Sequence, residues 1–329
     1  MPTRVSGLEG KRVVILGLAR QGTALARFLV QAGARVTVSD LGSEEDLEQQ
    51  MAQVADLPLE YVLGEHPLGL LDAADLLCLS GGVPLDIPIV EEAIRRGIAI
   101  SNDAQIFLEL CPAPVVGITG SAGKTTTTAL VGEMMLAAGR DTWVGGNIGN
   151  PLIADLDDIG ADDWVVMELS SFQLEVMNTS PHIAAVLNLT PNHLDRHGTM
   201  DNYVAAKRAI VTFQGPEDYA VLGFDDEIAR ALALETQAQA IFFSGAVELE
   251  QGAYQAGGEL MLRLSGQESL VCGRDELQLR GDHNVLNVLA ACAICGAAGV
   301  PVEAMGRSKP LMKGRWISNT TMRTSAALR

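Results

Sequence analysis

A glycine-rich turn between an apolar run and a helical segment limits the possible folds of this chain more than any other feature. The stretch GITGSAGKTTTTALVGEM runs from Gly117 to Met134. Its pattern predicts a strand that starts at Val115, a tight turn, and a helix that starts at Lys124. Because the free N–H groups at a helix N-terminus attract anions, this arrangement predicts a phosphate-binding loop in an α/β fold.

The loop follows the P-loop pattern G-x-x-x-x-G-K-[ST] with one departure. Ile118 occupies the place of the first glycine, and Gly120 lies inside the turn instead. Lys124 is placed to reach the β- and γ-phosphates of a nucleoside triphosphate, and Thr125 to ligate Mg²⁺. The predicted ATP-binding residues of the loop are Gly120, Ser121, Ala122, Gly123, Lys124, Thr125 and Thr126.

Strand–helix alternation extends to both sides of this loop. An apolar run at 11–17, a helical segment at 21–33 and a second apolar run at 34–40 predict a βαβ unit. We therefore expect residues 1–108 to form a Rossmann-like, doubly wound domain. The alternation resumes after the prolines of CPAPVVGITG, so we expect residues 109–304 to form a central P-loop ATPase domain with a mostly parallel sheet.

Composition and charge exclude several classes of protein. The 329 residues suffice for two or three domains, and 48% apolar with 19% charged residues is typical of a globular protein. The net charge of −18 and the lack of a Lys/Arg stripe argue against nucleic-acid or membrane-surface binding. No apolar stretch reaches the roughly 18 residues of a membrane span. Five scattered cysteines favour a reducing compartment, so we expect a cytoplasmic protein.

Polar residues follow two further predicted strands. Glu168 ends the apolar run at 163–169, and the carboxyl ends of parallel strands face the ligand crevice. An acid beside a P-loop indicates a Mg²⁺ ligand. The alternative is that Glu168 is an acidic residue at the N-terminus of a helix, since Ser170 follows it. The loop at 188–198 brings His193 and His197 to the same crevice. We favour His193 as the ligand, but spacing alone does not decide between the two histidines.

Five motifs stand in the order found in one known family: TGSAGKTT, GGNIGNP, ELSSFQLE, NLTPNHLDRHGTMDNYVAAKRAI and GDHNVLNVLAA. The chain resembles the ATP-dependent Mur ligases from residue 1 to about 304. The ELSSFQLE stretch resembles the branch that joins D-glutamate to UDP-N-acetylmuramoyl-L-alanine. The resemblance implies that the substrate carboxylate attacks the γ-phosphate of ATP, that an acyl phosphate forms, and that the amine of D-glutamate displaces phosphate. We expect a monomer with these three small-molecule partners.

The resemblance also implies roles for individual residues of the central domain. Lys124 binds the β- and γ-phosphates, Thr125 holds the first of two Mg²⁺ ions, and Glu168 and His193 are Mg²⁺ ligands. Lys207, which its helical segment alone would place on the surface, matches a lysine that carries a CO₂-derived carbamate near the second ion. Because a carbamate forms from the neutral amine, Lys207 is expected in a desolvated site that lowers its pKa.

Substrate contacts follow from the same resemblance. Asn147 matches a contact to the muramyl substrate, and Asn284 and Asn287 match contacts to adenine. The turn GLARQG has Ala19 at the middle glycine of the dinucleotide fingerprint, so nicotinamide binding is only weakly indicated. The residues that match contacts to uridine diphosphate are Leu18, Ala19, Arg20, Asp40, Ser80 and Gly82.

The family has a third, Rossmann-like domain that contacts glutamate, and we expect it to be largely missing, with residues 305–329 as a stub. Asn319 and Thr321 stand where the family has an aspartate that meets the ATP ribose and a lysine. We therefore expect a C-terminally truncated chain with an atypical tail, which binds UDP-N-acetylmuramoyl-L-alanine but forms the amide bond poorly.

Three alternatives stay open at this point. The Gly-Lys-Thr loop also occurs in folylpolyglutamate synthases and in sister Mur ligases, and competition between substrates would separate these enzymes. A nicotinamide-dependent oxidoreductase would bind NAD through the N-terminal βαβ unit. An inactive remnant would bind nucleotide without catalysis.

Overall fold

The structure is a computed structural model that describes residues 7–277 and 279–308, and the backbone of 322–324. The chain forms two compact units. The first contains the described residues up to Leu110 together with Asn150–Asp158, and the second contains Cys111–Gly149 and the described residues from Ile159 onward. The predicted functional domains, 1–108, 109–304 and 305–329, stay a prediction.

The first unit is built on a five-stranded parallel sheet with the order β3-β2-β1-β4-β5. The strands are β1 Arg12–Leu16, β2 Arg35–Asp40, β3 Glu60–Leu63, β4 Leu76–Leu79 and β5 Ala99–Ser101. The helices are α1 Arg20–Gln31, α2 Glu48–Ala52, α3 Pro88–Arg96 and α4 Asp103–Leu110, with 3-10 turns at Leu68–Ala73 and Leu152–Asp158. The strand order reverses between β1 and β4, and this is the point where doubly wound sheets open a ligand crevice.

Local sequence explains the ends of these elements. Helix α3 begins with Pro88, whose missing N–H costs nothing at the first helical position, and it stops at Gly97 in the left-handed region (φ 70°). Helix α1 buries Leu25, Phe28 and Leu29 on the face that packs on the sheet. The predicted Rossmann-like unit is confirmed.

The second unit is built on a ten-stranded sheet with the order β14-β13-β12-β11-β10-β9-β6-β8-β7-β15. The seven neighbouring strands β12, β11, β10, β9, β6, β8 and β7 pair in parallel. The pairs β12–β13, β13–β14 and β7–β15 are antiparallel. The strands are β6 Val115–Thr119, β7 Thr142–Gly146, β8 Trp164–Glu168, β9 Ile183–Val186, β10 Tyr219–Gly223, β11 Gln239–Ser244, β12 Gly252–Ala256, β13 Glu259–Leu264, β14 Gln267–Gly273 and β15 Met322–Thr324.

Helices cover this sheet and bury its apolar strands. They are α5 Lys124–Ala137, α6 Ser171–Leu174, α7 Leu194–His197, α8 Met200–Thr212, α9 Glu227–Ala231, α10 Asp282–Ala297 and α11 Val302–Arg307, with 3-10 turns at Leu232–Leu234 and Arg274–Glu276. Helix α10 packs against α5, and its Cys292 and Cys295 are fully buried free thiols. Among the described residues, no helix combines the length and the apolarity needed to cross a bilayer.

Candidate active site

The glycine turn joins β6 to α5, as predicted. Gly123 caps the helix with φ at +84°, in the left-handed region that favours glycine. A Cβ atom at Gly123 would lie 2.2 Å from Oδ1 of Asn287, so space excludes a side chain as well. The turn and the first turn of α5 therefore present a helix N-terminus at the carboxyl end of the central strand, where an anion is favoured.

Lys124 bends back over its own loop. Its Nζ atom donates to the carbonyl oxygens of Gly120, at 2.9 Å, and Ser121, at 3.4 Å. Burial lowers the pKa of Lys124, and the nearby carboxylate of Glu168 partly opposes this shift. The ammonium group therefore lies over the turn in which phosphate binding is predicted.

The loop after β9 braces the glycine turn. Asn188 accepts from the N–H of Ala122 at 2.9 Å through Oδ1, and its amide donates to the Ala122 carbonyl at 3.1 Å. Ser121 donates from its hydroxyl to the Thr190 carbonyl at 2.8 Å, and the same hydroxyl lies 2.9 Å from the Tyr203 hydroxyl. The sequence analysis did not identify Asn188. The available signal is an amide residue directly after a strand that neighbours the P-loop strand.

Glu168 ends β8 and is 2% exposed. One carboxylate oxygen accepts from the Thr125 hydroxyl at 2.8 Å, and the other accepts from the Asn147 amide at 2.9 Å. The parallel register that pairs Ile118 with Glu168 brings the carboxylate beside the P-loop helix. Sequence reasoning had placed Thr125 and Glu168 in one crevice, and the structure brings them together.

The donor set at Glu168 fits a magnesium ion. Mg²⁺ prefers oxygen ligands, keeps several waters, and usually takes only one or two carboxylates together with substrate phosphates. Thr125 and Glu168 supply one hydroxyl and one carboxylate, 2.8 Å apart. Within the described part of the chain, no three or more His, Cys, Asp or Glu side chains are grouped so that they could hold a metal ion. A magnesium ion at Glu168 would therefore need further ligands from substrate phosphates or water.

Lys207 lies in the interior, contrary to the surface position that its helical segment alone indicates. The side chain is 2% exposed, and Nζ donates to the Thr119 hydroxyl at 2.9 Å. That hydroxyl in turn donates to the Leu169 carbonyl at 2.8 Å. Burial, and to a smaller degree the charge of Lys124, lower the pKa of Lys207 to about 7, although the carboxylate of Glu168 opposes both. The desolvated lysine implied by the family resemblance is therefore present.

The two histidines of the 188–198 loop lie in different surroundings. His193 is exposed, has φ at +52°, and meets the Phe172 ring edge-on at 5.4 Å. His197 is 5% exposed, stacks on Phe172 at 5.2 Å, and lies 2.9 Å from the Ser171 hydroxyl through Nε2. His197 therefore belongs to the core, and metal ligation by His193 stays a prediction.

Asn284 and Asn287 lie one turn apart at the start of α10. The Asn287 amide donates to Oδ1 of Asn284 at 3.2 Å, and the Asn284 amide donates to the Arg280 carbonyl at 2.8 Å. Asn287 borders a cavity of about 200 Å³, whose other lining residues are Leu187, Asn188, Gly223, Asp225, Asp226, Phe243 and Leu286. The contact of both asparagines with adenine stays a prediction.

The first unit has a separate cavity of about 620 Å³ at the carboxyl ends of its strands. Four of the six residues predicted there line it, namely Ala19, Asp40, Ser80 and Gly82. Leu18 is fully buried and does not line the cavity. Its N–H donates to Oδ2 of Asp40 at 2.7 Å, and the Gly42 N–H donates to Oδ1 at 2.8 Å. Arg20 is exposed at the start of α1 and does not line the cavity.

The parallel sheet, the Gly-Lys-Thr turn and the carboxylate beside it define a P-loop nucleotide-binding protein. Comparison with known families narrows this class. Residues 118–295 match the Mur ligase middle domain, and residues 11–102 match the Mur ligase MurD-like N-terminal domain. The chain belongs to the Mur ligase family.

Curated relatives carry one enzyme name. The chain is 46% identical over 297 residues to the UDP-N-acetylmuramoylalanine–D-glutamate ligase of Symbiobacterium thermophilum, covering 90% of this chain and 65% of that protein. It is 42% identical over 305 residues to the ligase of the same name from Pelotomaculum thermopropionicum, covering 92% and 67%. The chain thus spans about two thirds of the length of these relatives.

A solved structure shares the fold at low identity. The UDP-N-acetylmuramate:L-alanyl-gamma-D-glutamyl-meso-diaminopimelate ligase from Neisseria meningitides superposes with a TM-score of 0.61 at 18% identity, covering 94% of this chain and all of that chain. At this identity the likeness concerns the fold alone. Asn319 and Thr321, the positions predicted to depart from the family, lie outside the described residues.

Proposed function

We propose that the protein is an ATP-dependent ligase that joins D-glutamate to UDP-N-acetylmuramoyl-L-alanine, a step in peptidoglycan precursor synthesis. The observation that carries the proposal is the crevice beside β6, where Lys124, Lys207 and the Glu168–Thr125 pair lie at the carboxyl ends of neighbouring strands. Relatives that are 46% and 42% identical over this region are named for that reaction.

Charge neutralisation is the main task of this crevice. A substrate carboxylate and the triphosphate repel each other, so attack on the γ-phosphorus requires cations close to both. Lys124 lies over the turn that would hold the phosphates, and its ammonium group is free to exchange the loop carbonyls for phosphate oxygens. Mur ligases in general use ATP and Mg²⁺. An ion bound by Thr125 and Glu168 would withdraw charge from the phosphate oxygens.

The proposed reaction has two steps. The carboxylate oxygen of the L-alanine residue bonds to the γ-phosphorus, the bond to the β-phosphate oxygen breaks, and ADP leaves. The amine of D-glutamate then bonds to the acyl carbon, loses a proton, and expels phosphate. Asn147, whose side-chain amide donates to Glu168, is proposed to contact the muramyl substrate. Asn284 and Asn287 are proposed to contact adenine.

We further propose that Lys207 is carbamylated. The neutral amine bonds to the carbon of CO₂ and releases one proton, which leaves a carbamate anion. The pKa of about 7 supports this step, because a large fraction of the amine is neutral near neutral pH. The carbamate and His193 would be ligands of a second Mg²⁺ ion.

Acyl-phosphate trapping tests the proposal. The chain is incubated with ATP, Mg²⁺, hydroxylamine and UDP-N-acetylmuramoyl-L-alanine, and the hydroxamate is measured by mass spectrometry. We expect hydroxamate with this substrate and little with UDP-N-acetylmuramate or with dihydropteroate, the acceptors of a sister ligase and of a folate-type enzyme. Preferential trapping of either of those compounds would overturn the assignment. Addition of D-glutamate in place of hydroxylamine tests the second step.

Location and assembly complete the proposal. We infer a cytoplasmic monomer, in keeping with the net charge of −18 and five free thiols. Light scattering on the purified chain measures the molar mass directly, and a dimer mass would contradict the monomer.

A further inference from the structure

One residue from a neighbouring loop, Asn188, holds the glycine turn that carries Lys124. Its Oδ1 atom accepts from the Ala122 N–H at 2.9 Å, and its Nδ2 atom donates to the Ala122 carbonyl at 3.1 Å. Its backbone carbonyl accepts from the Ser121 N–H at 2.9 Å. These three hydrogen bonds, which we call the Asn188 clamp, fix three consecutive peptide groups between Gly120 and Gly123.

A primary amide is the side-chain group that suits both contacts with Ala122. The backbone of Ala122 presents one donor and one acceptor, and an amide supplies the complementary acceptor and donor. A carboxylate in the same place would turn its second oxygen toward the Ala122 carbonyl, and an aliphatic side chain would make neither bond. The clamp therefore accounts for the amide residue that stands shortly after β9.

The residues on both sides of Asn188 are themselves fixed. The Leu187 N–H donates to the Thr119 carbonyl at 3.0 Å, and the Leu189 N–H donates to Oδ2 of Asp226 at 2.8 Å. The other carboxylate oxygen of Asp226 accepts from the Ala229 N–H at 2.9 Å and caps α9. Asn188 is therefore held in place before it contacts the turn, as a group that positions a binding loop must be.

The empty turn has a second brace, which nucleotide binding removes. The Lys124 ammonium group donates to the carbonyl oxygens of Gly120 and Ser121. When Lys124 turns to the β- and γ-phosphates, these carbonyls lose their donor. The free turn is thus held by Lys124 and Asn188 together, whereas the occupied turn depends on Asn188.

We propose that Asn188 is a positioning residue for the triphosphate, which keeps the turn in its binding shape once Lys124 has left the loop carbonyls. This proposal rests on the proposed function, in which the turn holds ATP. The clamp also selects the phosphate donors. Because the N–H groups of Ser121 and Ala122 are occupied, the phosphates bind the N–H groups at the start of α5, which have no partner within the helix.

Calorimetric titration with a non-hydrolysable ATP analogue and with AMP, both with Mg²⁺, tests this role. Asn188→Leu keeps the size of the side chain but removes both side-chain bonds. We expect affinity for the ATP analogue to fall about tenfold, because the occupied turn loses its remaining side-chain brace. AMP has no β- or γ-phosphate, so Lys124 can stay on the loop carbonyls, and AMP affinity should change less than about twofold.

Two further variants complete the titration. Asn188→Gln retains the amide and should recover part of the lost affinity for the ATP analogue. The matched control is Gln239→Leu, which removes an amide that donates to the Pro216 carbonyl at 3.3 Å, at the amino end of β11. It should change neither affinity. An equal loss for AMP and for the ATP analogue in Asn188→Leu would assign Asn188 to general folding of the site and overturn the proposal.

NMR of the wild-type side-chain amide gives a readout that needs no substitution. The Asn188 NH₂ protons should exchange slowly with solvent in the free chain and stay protected when the ATP analogue binds. Loss of this protection on binding, or an unchanged or higher affinity of Asn188→Leu for the analogue, would show that the phosphates replace the clamp, and would overturn the role of Asn188. Failure of the wild-type chain to bind the analogue would instead overturn the proposed function.

Discussion

The two candidate sites satisfy their polar groups in different ways. In the P-loop crevice the ionisable groups bind protein atoms: Lys124 donates to loop carbonyls, Glu168 accepts from two side chains, and Lys207 donates to Thr119. In the cavity of the first unit, Ser80 Oγ has no described partner. Burying an unpaired charge costs far more than burying an unpaired neutral group. Buried charges therefore need internal partners, as those of the crevice and the Asp40 carboxylate have, whereas neutral groups such as the Ser80 hydroxyl can be left for a ligand.

Lys207 gives the largest expected effect, because its charge is buried. Its pKa is about 7 in the folded protein, below the ordinary value of a lysine in the unfolded chain. Between these two values the unfolded state binds more protons. The free energy of unfolding should therefore rise with pH in this window, by up to ~1.4 kcal/mol per pH unit.

Urea unfolding in CO₂-free buffer between about pH 7 and about pH 9 measures this slope. Lys207→Met is the matched variant, and the difference between the two stability curves isolates the lysine from other titrating groups. Equal slopes for wild type and variant would show that the Lys207 ammonium group is not destabilised in the folded state. Added bicarbonate should stabilise only the wild type if the carbamate forms.

Lys124→Met is expected to weaken binding of a non-hydrolysable ATP analogue by roughly 10- to 100-fold, since a charge-assisted hydrogen bond to phosphate is lost. UDP affinity at the first unit should not change. Titration calorimetry measures both affinities in one preparation. The control is Lys11→Met, which removes an exposed lysine of the first unit. Equal ATP-analogue affinities for Lys124→Met and Lys11→Met would contradict the phosphate role of Lys124.

Thr119→Val tests whether the internal partners of the crevice stabilise the fold. Val keeps the shape of the fully buried Thr119 but leaves the Lys207 ammonium without its 2.9 Å acceptor. We expect a loss of about 2 kcal/mol in the free energy of unfolding near pH 6, where the amine is protonated, and a smaller loss near pH 9. Chemical denaturation at both pH values measures the loss. A pH-independent loss would assign the effect to packing and to the lost hydrogen bond with the Leu169 carbonyl.

Much of the fold and of the P-loop crevice could be predicted from the sequence, because those signals are local. The strand, turn and helix around Gly123 are contiguous, and the carboxyl end of β8 follows from the parallel alternation. The apolar run at 34–40 is observed as strand Arg35–Asp40. Strand β9 ends at Val186, and Asn188, two residues later, binds the glycine turn.

The remaining features depend on long-range contacts that no local pattern contains. The segment 150–158 follows a strand of the second unit in sequence but packs with the first. The burial of Lys207 depends on its contact with Thr119, 88 residues away. The clamp on Ala122 depends on Asn188, 66 residues away. His197 differs from His193 in its burial and in its contact with the Ser171 hydroxyl, 26 residues away.

Ser80→Ala tests the contrast between the P-loop crevice and the first-unit cavity. Of the substitutions considered, it is expected to change stability least. The Ser80 hydroxyl is buried and has no described partner, so its removal deletes a polar group that already pays a desolvation cost. The free energy of unfolding should change by less than about 0.5 kcal/mol, and in the stabilising direction if at all. UDP affinity should fall by roughly five- to tenfold, because the ligand loses a hydrogen bond. Urea unfolding and calorimetry of the same variant measure the two effects. A large destabilisation without a loss of UDP affinity would mean that this hydroxyl serves the fold, and that the first-unit cavity resembles the P-loop crevice in satisfying its own polar groups.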